Sequence, residues 1–200
     1  MSASNLDSAL SATLADRQLL DHPFYRRWDA GRVSSSELAA YAAQYRHFER
    51  YLPGFLARLV AGLLPGEARD LIAANLADEV GDPIPHVELF ERFAAAVGAK
   101  EEVPSLATSG LIATYDELAG RGARAGLAGF VAYESHAAGI ARRKADGLRR
   151  HHGLGDGAVS FWEHHADVDA RHGMWARRSL GRTTDTPERL LDAVRRTADA

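Results

Sequence analysis

Apolar residues recur at intervals of three and four along almost the whole chain, and its Gly and Pro residues fall between such stretches rather than inside alternating runs. That is the period of helices, not of strands, and the good helix formers Ala, Leu, Glu and Arg fill it. The pattern predicts helices over residues 4–20, 23–30, 34–63 with a bend before Pro53, 66–80, 84–98, 104–120, 124–151, 156–180 and 187–198. Some starts are legible. Ser34, Ser35 or Ser36 with Glu37 can cap the third segment, and Thr186-Pro187-Glu188 puts proline at a first helical position beside an acid. The turns GDPIP, VGAKEEVPS and HHGLGDG punctuate the segments, and no linker or internal repeat divides them. Residues 1–200 therefore read as one all-α domain, a bundle of seven to eight helices, with 124–151 and 156–180 antiparallel across the short GLGDG turn.

Composition narrows the function. A hydrophobic content of 46% is enough for a sizeable core, and a formal charge of −3 supplies no basic field for nucleic acid. The local run RRKADGLRRHH, residues 142–152, reads by default as a solvated helix end. No apolar run approaches the roughly 18 residues of a membrane span, and MSASNLDSALSATLADRQ lacks the basic and apolar regions of a secretory signal. The expectation is a cytoplasmic protein that binds neither membrane nor nucleic acid. The absence of cysteine excludes disulfides, thiolate metal ligands and a cysteine nucleophile together.

Candidate chemistry concentrates in FWEHHADVDARHGMW, residues 161–175, which holds three of the nine histidines. At about 100° per residue, His165, Asp169 and His172 fall within about 60° of one another on a helix, whereas His164 and Asp167 point elsewhere. Two imidazoles and a carboxylate on one stripe suit Fe, Mn or Zn better than Ca or Mg, against the plainer alternative of a solvated polar stripe. Glu134 stands among Phe130, Val131, Ala137, Ala138 and Ala141, where a carboxylate needs a buried cation beside it. Glu79 ends one helix and His86 begins the next, and the Gly81-Asp82-Pro83-Ile84-Pro85 break between them can swing both side chains toward one point. Three carboxylates and three imidazoles amount to ligands for two divalent ions. The set is neither the Glu-x-x-His pair of ferritin-type sites nor the His-Glu-x-x-His of zinc proteases, both of which are absent.

Glu79-x6-His86, then Glu134, then, after thirty intervening residues, His165-x3-Asp169-x2-His172 resembles the ligand pattern of the haem-oxygenase-like dimetal oxidases, relatives of TenA and PqqC. HPFYRRWDAG, YAAQYRHFERYLPGF and NLADEVG followed by HVELFERFAAAVGA are also typical of that superfamily. Within it the chain is most similar to the CADD-like proteins, which make para-aminobenzoate for folate biosynthesis. The resemblance implies a homodimer with two iron ions, or iron plus manganese, that uses O2 and an external reductant. It further implies that a tyrosine of the protein itself is cut out as the aromatic precursor and that a lysine supplies the amino nitrogen. The matching residues are Tyr25 in HPFYRRW, Tyr133 just before Glu134, and Lys144 ten residues after it. Read without the family, Tyr25 is an aromatic packing beside Phe24 and Trp28, and Lys144 a solvated lysine in a basic run.

Other classes compete with this reading. A related dimetal oxidase or N-oxygenase would act on an external small molecule. A metal-free TenA-like thiaminase would need the cysteine this chain lacks, and a PqqC-like oxidase or a binding protein on the same fold would hold no metal. A haem oxygenase would rest on His22 alone.

Overall fold

The computed structural model describes residues 3–81, 84–182 and 186–200. Among these, nine α-helices and one short 3-10 helix follow one another with no strand: α1 (Ala3–Leu14), the 3-10 turn Leu19–Asp21, α2 (Pro23–Asp29), α3 (Ser35–Gly62), α4 (Glu67–Val80), α5 (His86–Ala96), α6 (Leu106–Gly120), α7 (Ala123–His152), α8 (Asp156–Gly181) and α9 (Pro187–Ala198). These nine helices correspond one for one to the nine predicted segments, one more than the upper bound of the expected seven-to-eight-helix bundle.

The differences from the sequence expectation have local causes. The segment expected over 4–20 ends at Leu14: Leu10 and Leu14 are buried in the core, and beyond them Arg17 leaves the helix to pair with Asp199, 2.6 Å away. Pro53 does not interrupt α3, which runs on through it to Gly62. The start of α3 is the expected one, and Ser34 is the cap: its hydroxyl accepts from the Glu37 backbone N–H while the Glu37 carboxylate accepts from the Ser34 N–H, closing a capping box. Asp82 and Pro83, within the break expected between α4 and α5, lie outside the described residues.

The central unit is the α7–α8 hairpin. Gly153 takes φ 62° at the end of α7, a left-handed turn that glycine adopts without strain, and α8 begins three residues later. The two helices are antiparallel, since Glu134 meets Gly173 while Lys144 meets Trp162 and Arg149 meets Glu163. Two apolar clusters flank the hairpin. One joins α1, α3, α6 and α9 to the N-terminal half of α7 and the C-terminal end of α8 through residues such as Leu56, Tyr115, Phe130 and Leu180. The other joins α2, α3 and α5 to the opposite halves through Trp28, Phe90, Phe93 and Trp162. Each fully buried side chain of this size contributes about 1.5–3 kcal/mol of transfer free energy, so the hairpin is held from both sides. Its polar residues are left between the clusters. Among the described residues no helix is long and apolar enough to cross a membrane.

Candidate metal centre

Glu79 stands one residue from the end of α4, His86 opens α5, Glu134 lies midway along α7, and His165, Asp169 and His172 line α8. All six are buried, none more than 5% exposed. The structure brings them together in two sets, Glu79, His86 and His165 in one and Glu134, Asp169 and His172 in the other; within each set, one ligand atom per residue lies within 4.8 Å of the others. The close approach of α7 to α8 that makes this arrangement depends on Gly173: a Cβ there would sit 2.9 Å from the Glu134 carbonyl oxygen.

The free atoms point inward. His165 Nδ1 donates to the Phe161 carbonyl at 2.8 Å, which leaves Nε2 available. His172 Nε2 donates to Asp78 at 3.0 Å, and its Nδ1 has no hydrogen-bond partner among the described residues. His86 Nε2 contacts His164 Nε2 at 2.9 Å, while its Nδ1 faces Glu79 Oε2 at 3.0 Å without the alignment of a hydrogen bond. Glu134 Oε2 is likewise without a partner. Buried polar atoms are normally satisfied, so rings with one nitrogen tied down and the other free, beside an unpaired carboxylate oxygen, are the arrangement that orients ligands on a cation. Divalent ions fit these residues. One expectation is corrected here: His164 belongs to neither set, but it does not point away from the centre, because α5 brings His86 against it.

Electrostatics agree with the geometry. Burial and the charges of Asp169, Glu79 and Glu49 push the Glu134 carboxyl well above the usual carboxylate range. Burial and Glu79 do the same to Asp169. Burial pushes Glu79 up as well, but the imidazoles of His86, His165 and His172 more than offset it. Burial drives His165 down to about 3, which keeps the ring neutral, the form a metal binds. The excess of buried negative charge is what two divalent ions would relieve.

A cavity of about 380 Å³ adjoins the centre; His165, Asp169, Tyr133, Lys144 and Tyr25 all line it. Lys144 is not the solvated lysine its basic run indicated. It is 2% exposed, and its Nζ donates to the Tyr41 hydroxyl and lies 4.1, 4.7, 4.9 and 5.4 Å from the ring centroids of Trp162, Tyr45, Tyr41 and Tyr25. Burial brings the amine down to about 7, against the pull of Glu49 and Asp169. Tyr133 shares the cavity, and its hydroxyl is hydrogen-bonded to that of Tyr45 at 2.8 Å. Burial raises Tyr25 to about 12.

Residues 39–200 match the model of a family described as iron-containing redox enzymes. The chain belongs to that family. The matched segment contains all six ligand candidates, Tyr133 and Lys144, whereas Tyr25 precedes it. A relative, the 4-aminobenzoate synthase of Chlamydia trachomatis, is 30% identical over 175 residues, which cover 84% of this chain and 76% of that protein. Two solved structures share the fold. A CADD-like protein of unknown function from Nostoc punctiforme superposes with a TM-score of 0.81 at 20% identity, over 98% of this chain and 92% of its own. A domain of unknown function with a heme oxygenase-like fold from Shewanella denitrificans gives 0.76 at 18% identity, over 100% and 86%. The fold expected from the sequence is thus the fold found, and this iron-containing redox enzyme carries a site rich in the ligands iron takes.

The sequence reading missed several residues. Tyr41, Tyr45 and Glu49 follow at i, i+4 and i+8 on α3, a stripe that faces the centre and was available as a signal. Trp162 sits one turn before His165 on the same side of α8. Asp78, adjacent to Glu79, carried no signal of its own, since only the packing of α4 against α8 brings it to His172.

Proposed function

We propose that this enzyme makes 4-aminobenzoate, the product named for the Chlamydia relative, from an aromatic ring of its own chain, with Lys144 as the source of the amino nitrogen. In this reading Glu79, His86 and His165 hold one metal ion and Glu134, Asp169 and His172 the other, both iron or one iron and one manganese. When bound, the pair supplies the reduction of O2, with electrons from an external reductant. Residues 1–200 act as one haem-oxygenase-like domain, assembled as a homodimer in the cytoplasm.

The observation that carries the proposal is the placement of Lys144. A buried primary amine in an aromatic cage, lining the same cavity as Tyr25, His165 and Asp169, is the group that a reaction installing an amino nitrogen needs beside the metal centre. With its amine at about 7, a substantial fraction of Lys144 is neutral near neutral pH, so its nitrogen has a lone pair to donate. The hydrogen bond to Tyr41 fixes the direction of the amine, and Trp162 and Tyr45 close over it. Apolar walls from Phe48, Ala132, Ala137, Ile140, Ala141 and Phe161 keep water from the oxidant. Of the two candidate rings, Tyr25 is the one consumed. It lies on α2, a helix of seven residues at the margin of the fold, with its ring centroid 5.4 Å from Lys144 Nζ. Release of a ring with its Cβ breaks the Cα–Cβ bond and leaves the main chain whole, but at Tyr133 it would remove a side chain packed on Phe48 and Phe130 beside Glu134.

The test compares Lys144→Arg and Lys144→Ala with the unaltered protein after loading with Fe(II) and exposure to O2 and reductant. Both variants should retain metal and form no 4-aminobenzoate. Many turnovers of added free tyrosine by Lys144→Ala would instead establish an oxidase of external substrates.

A further inference from the structure

Glu49 has no part in either ligand set, and its surroundings are anomalous. It is 1% exposed on α3, and neither carboxylate oxygen has a hydrogen-bond partner among the described residues. The cations on its own helix are committed elsewhere: Arg46 Nε pairs with Glu91 at 3.0 Å, and Arg50 Nη2 with Glu101 at 2.8 Å. Tyr45, one turn earlier, has its hydroxyl on Tyr133, and Lys144 donates to Tyr41. The charges that Glu49 does feel are those of the centre, Glu79 first, then Asp169, with Lys144 opposing them. A carboxylate that gives up water, has no aligned hydrogen bond, and sits among other carboxylates with only Lys144 and the Tyr45 hydroxyl to favour its charge is costly for a core to hold. It is retained where a cation is to arrive.

We propose that Glu49 is a fourth carboxylate ligand of the metal centre, directed at the ion held by Glu79, His86 and His165. This rests on the dimetal reading above and adds a residue to it. Two comparisons assign Glu49 to that ion. Glu79 is its foremost electrostatic neighbour, and Glu79 belongs to that set. The charges of the two sets are also unequal without it, one carboxylate with two imidazoles against two carboxylates with one imidazole. With Glu49 each set carries two carboxylates, and two divalent ions neutralise the four. Glu49 is the third member of the Tyr41, Tyr45 and Glu49 stripe, so α3 then binds the metal and the lysine cage to a single helix face.

The experiment is anaerobic titration of the full-length metal-free protein with Mn(II), followed by competition with a chromogenic chelator and by electron paramagnetic resonance. The unaltered protein should bind two ions per chain and give a spin-coupled signal. Glu49→Gln, of the same size and uncharged, should keep one tight ion and bind the second more than about a hundred-fold more weakly, with an uncoupled signal at one equivalent. Glu49→Asp should recover part of the loss, and Glu49→Met gives the same comparison should the glutamine variant not fold. Unfolding of the metal-free proteins should show Glu49→Gln no less stable than the parent, which separates ligation from a structural role. Two Mn(II) ions bound to Glu49→Gln with unaltered affinity would overturn the assignment of Glu49 alone. Failure of the unaltered protein to bind two ions would overturn the dimetal reading together with it.

Discussion

Burying Lys144 must cost this protein stability, and the cost is measurable. Its amine falls from 10.5 in the open chain to about 7 in the fold, with burial as the leading cause. At 1.36 kcal/mol per unit, that difference amounts to roughly 5 kcal/mol against the charged form. The faces of Trp162, Tyr45, Tyr41 and Tyr25 return part of it, about 0.5–2 kcal/mol for a desolvated cation over aromatic rings. Lys144→Met, which keeps the bulk and removes the amine, should therefore stabilise the metal-free protein at pH 7 by roughly 2–4 kcal/mol. The sign of the pH dependence follows from linkage. Between pH 7 and 10.5 the unfolded chain binds more protons at Lys144 than the folded one, so stability of the parent rises with pH across that window. The advantage of Lys144→Met should accordingly shrink to about half by pH 9. Urea unfolding at both pH values, with the slope checked for constancy, reads the difference directly. A variant less stable than the parent at pH 7, or an advantage that does not change with pH, would refute the buried, depressed amine.

Four further outcomes are expected. His165→Ala, Asp169→Ala and Glu134→Ala should each lower bound iron or manganese and abolish the O2-dependent reaction, as metal analysis and product assay will show. Asp78→Asn and His164→Ala, which touch His172 and His86 from outside, should leave the fold intact and weaken metal binding by about 10–100-fold in a chelator competition; unchanged affinity would mean that the two rings need no support. Gly173→Ala should cost about 1–3 kcal/mol in thermal or urea unfolding and lower metal content too, because the new methyl group meets the Glu134 carbonyl. Light scattering should give the mass of two chains, and a mass of one would contradict the homodimer.

Much of this architecture was legible where neighbouring residues determine it. The α7–α8 hairpin follows from two long apolar repeats and Gly153 between them, and the α8 stripe follows from helical spacing alone. Glu79 and His86 are legible as a pair because the break in the pattern between them, at residues 81–85, can swing both side chains toward one point. What the sequence did not disclose depends on helices far apart in the chain. Lys144 lies in a run that reads as solvated, and only the packing of α2, α3 and α8 around α7 buries it. Glu49 is hidden in the charged stretch His47-Phe48-Glu49-Arg50, where the arginine turns out to solvent-side acids and the glutamate turns in. His164 was set aside by its angle on α8, but the angle of one helix says nothing of what a second helix brings to its flank.

The central claim is that the chain supplies its own aromatic ring, and one measurement bears on it most directly. Protein produced with ring-labelled tyrosine and unlabelled lysine is loaded with metal under anaerobic conditions, then given O2 and reductant with no added tyrosine. The account predicts labelled 4-aminobenzoate that plateaus at no more than about one equivalent per chain, with a polypeptide mass altered at Tyr25, since the precursor is consumed with the protein. Unlabelled product, or turnover that continues past one equivalent on an added small molecule while every tyrosine stays intact, would contradict it.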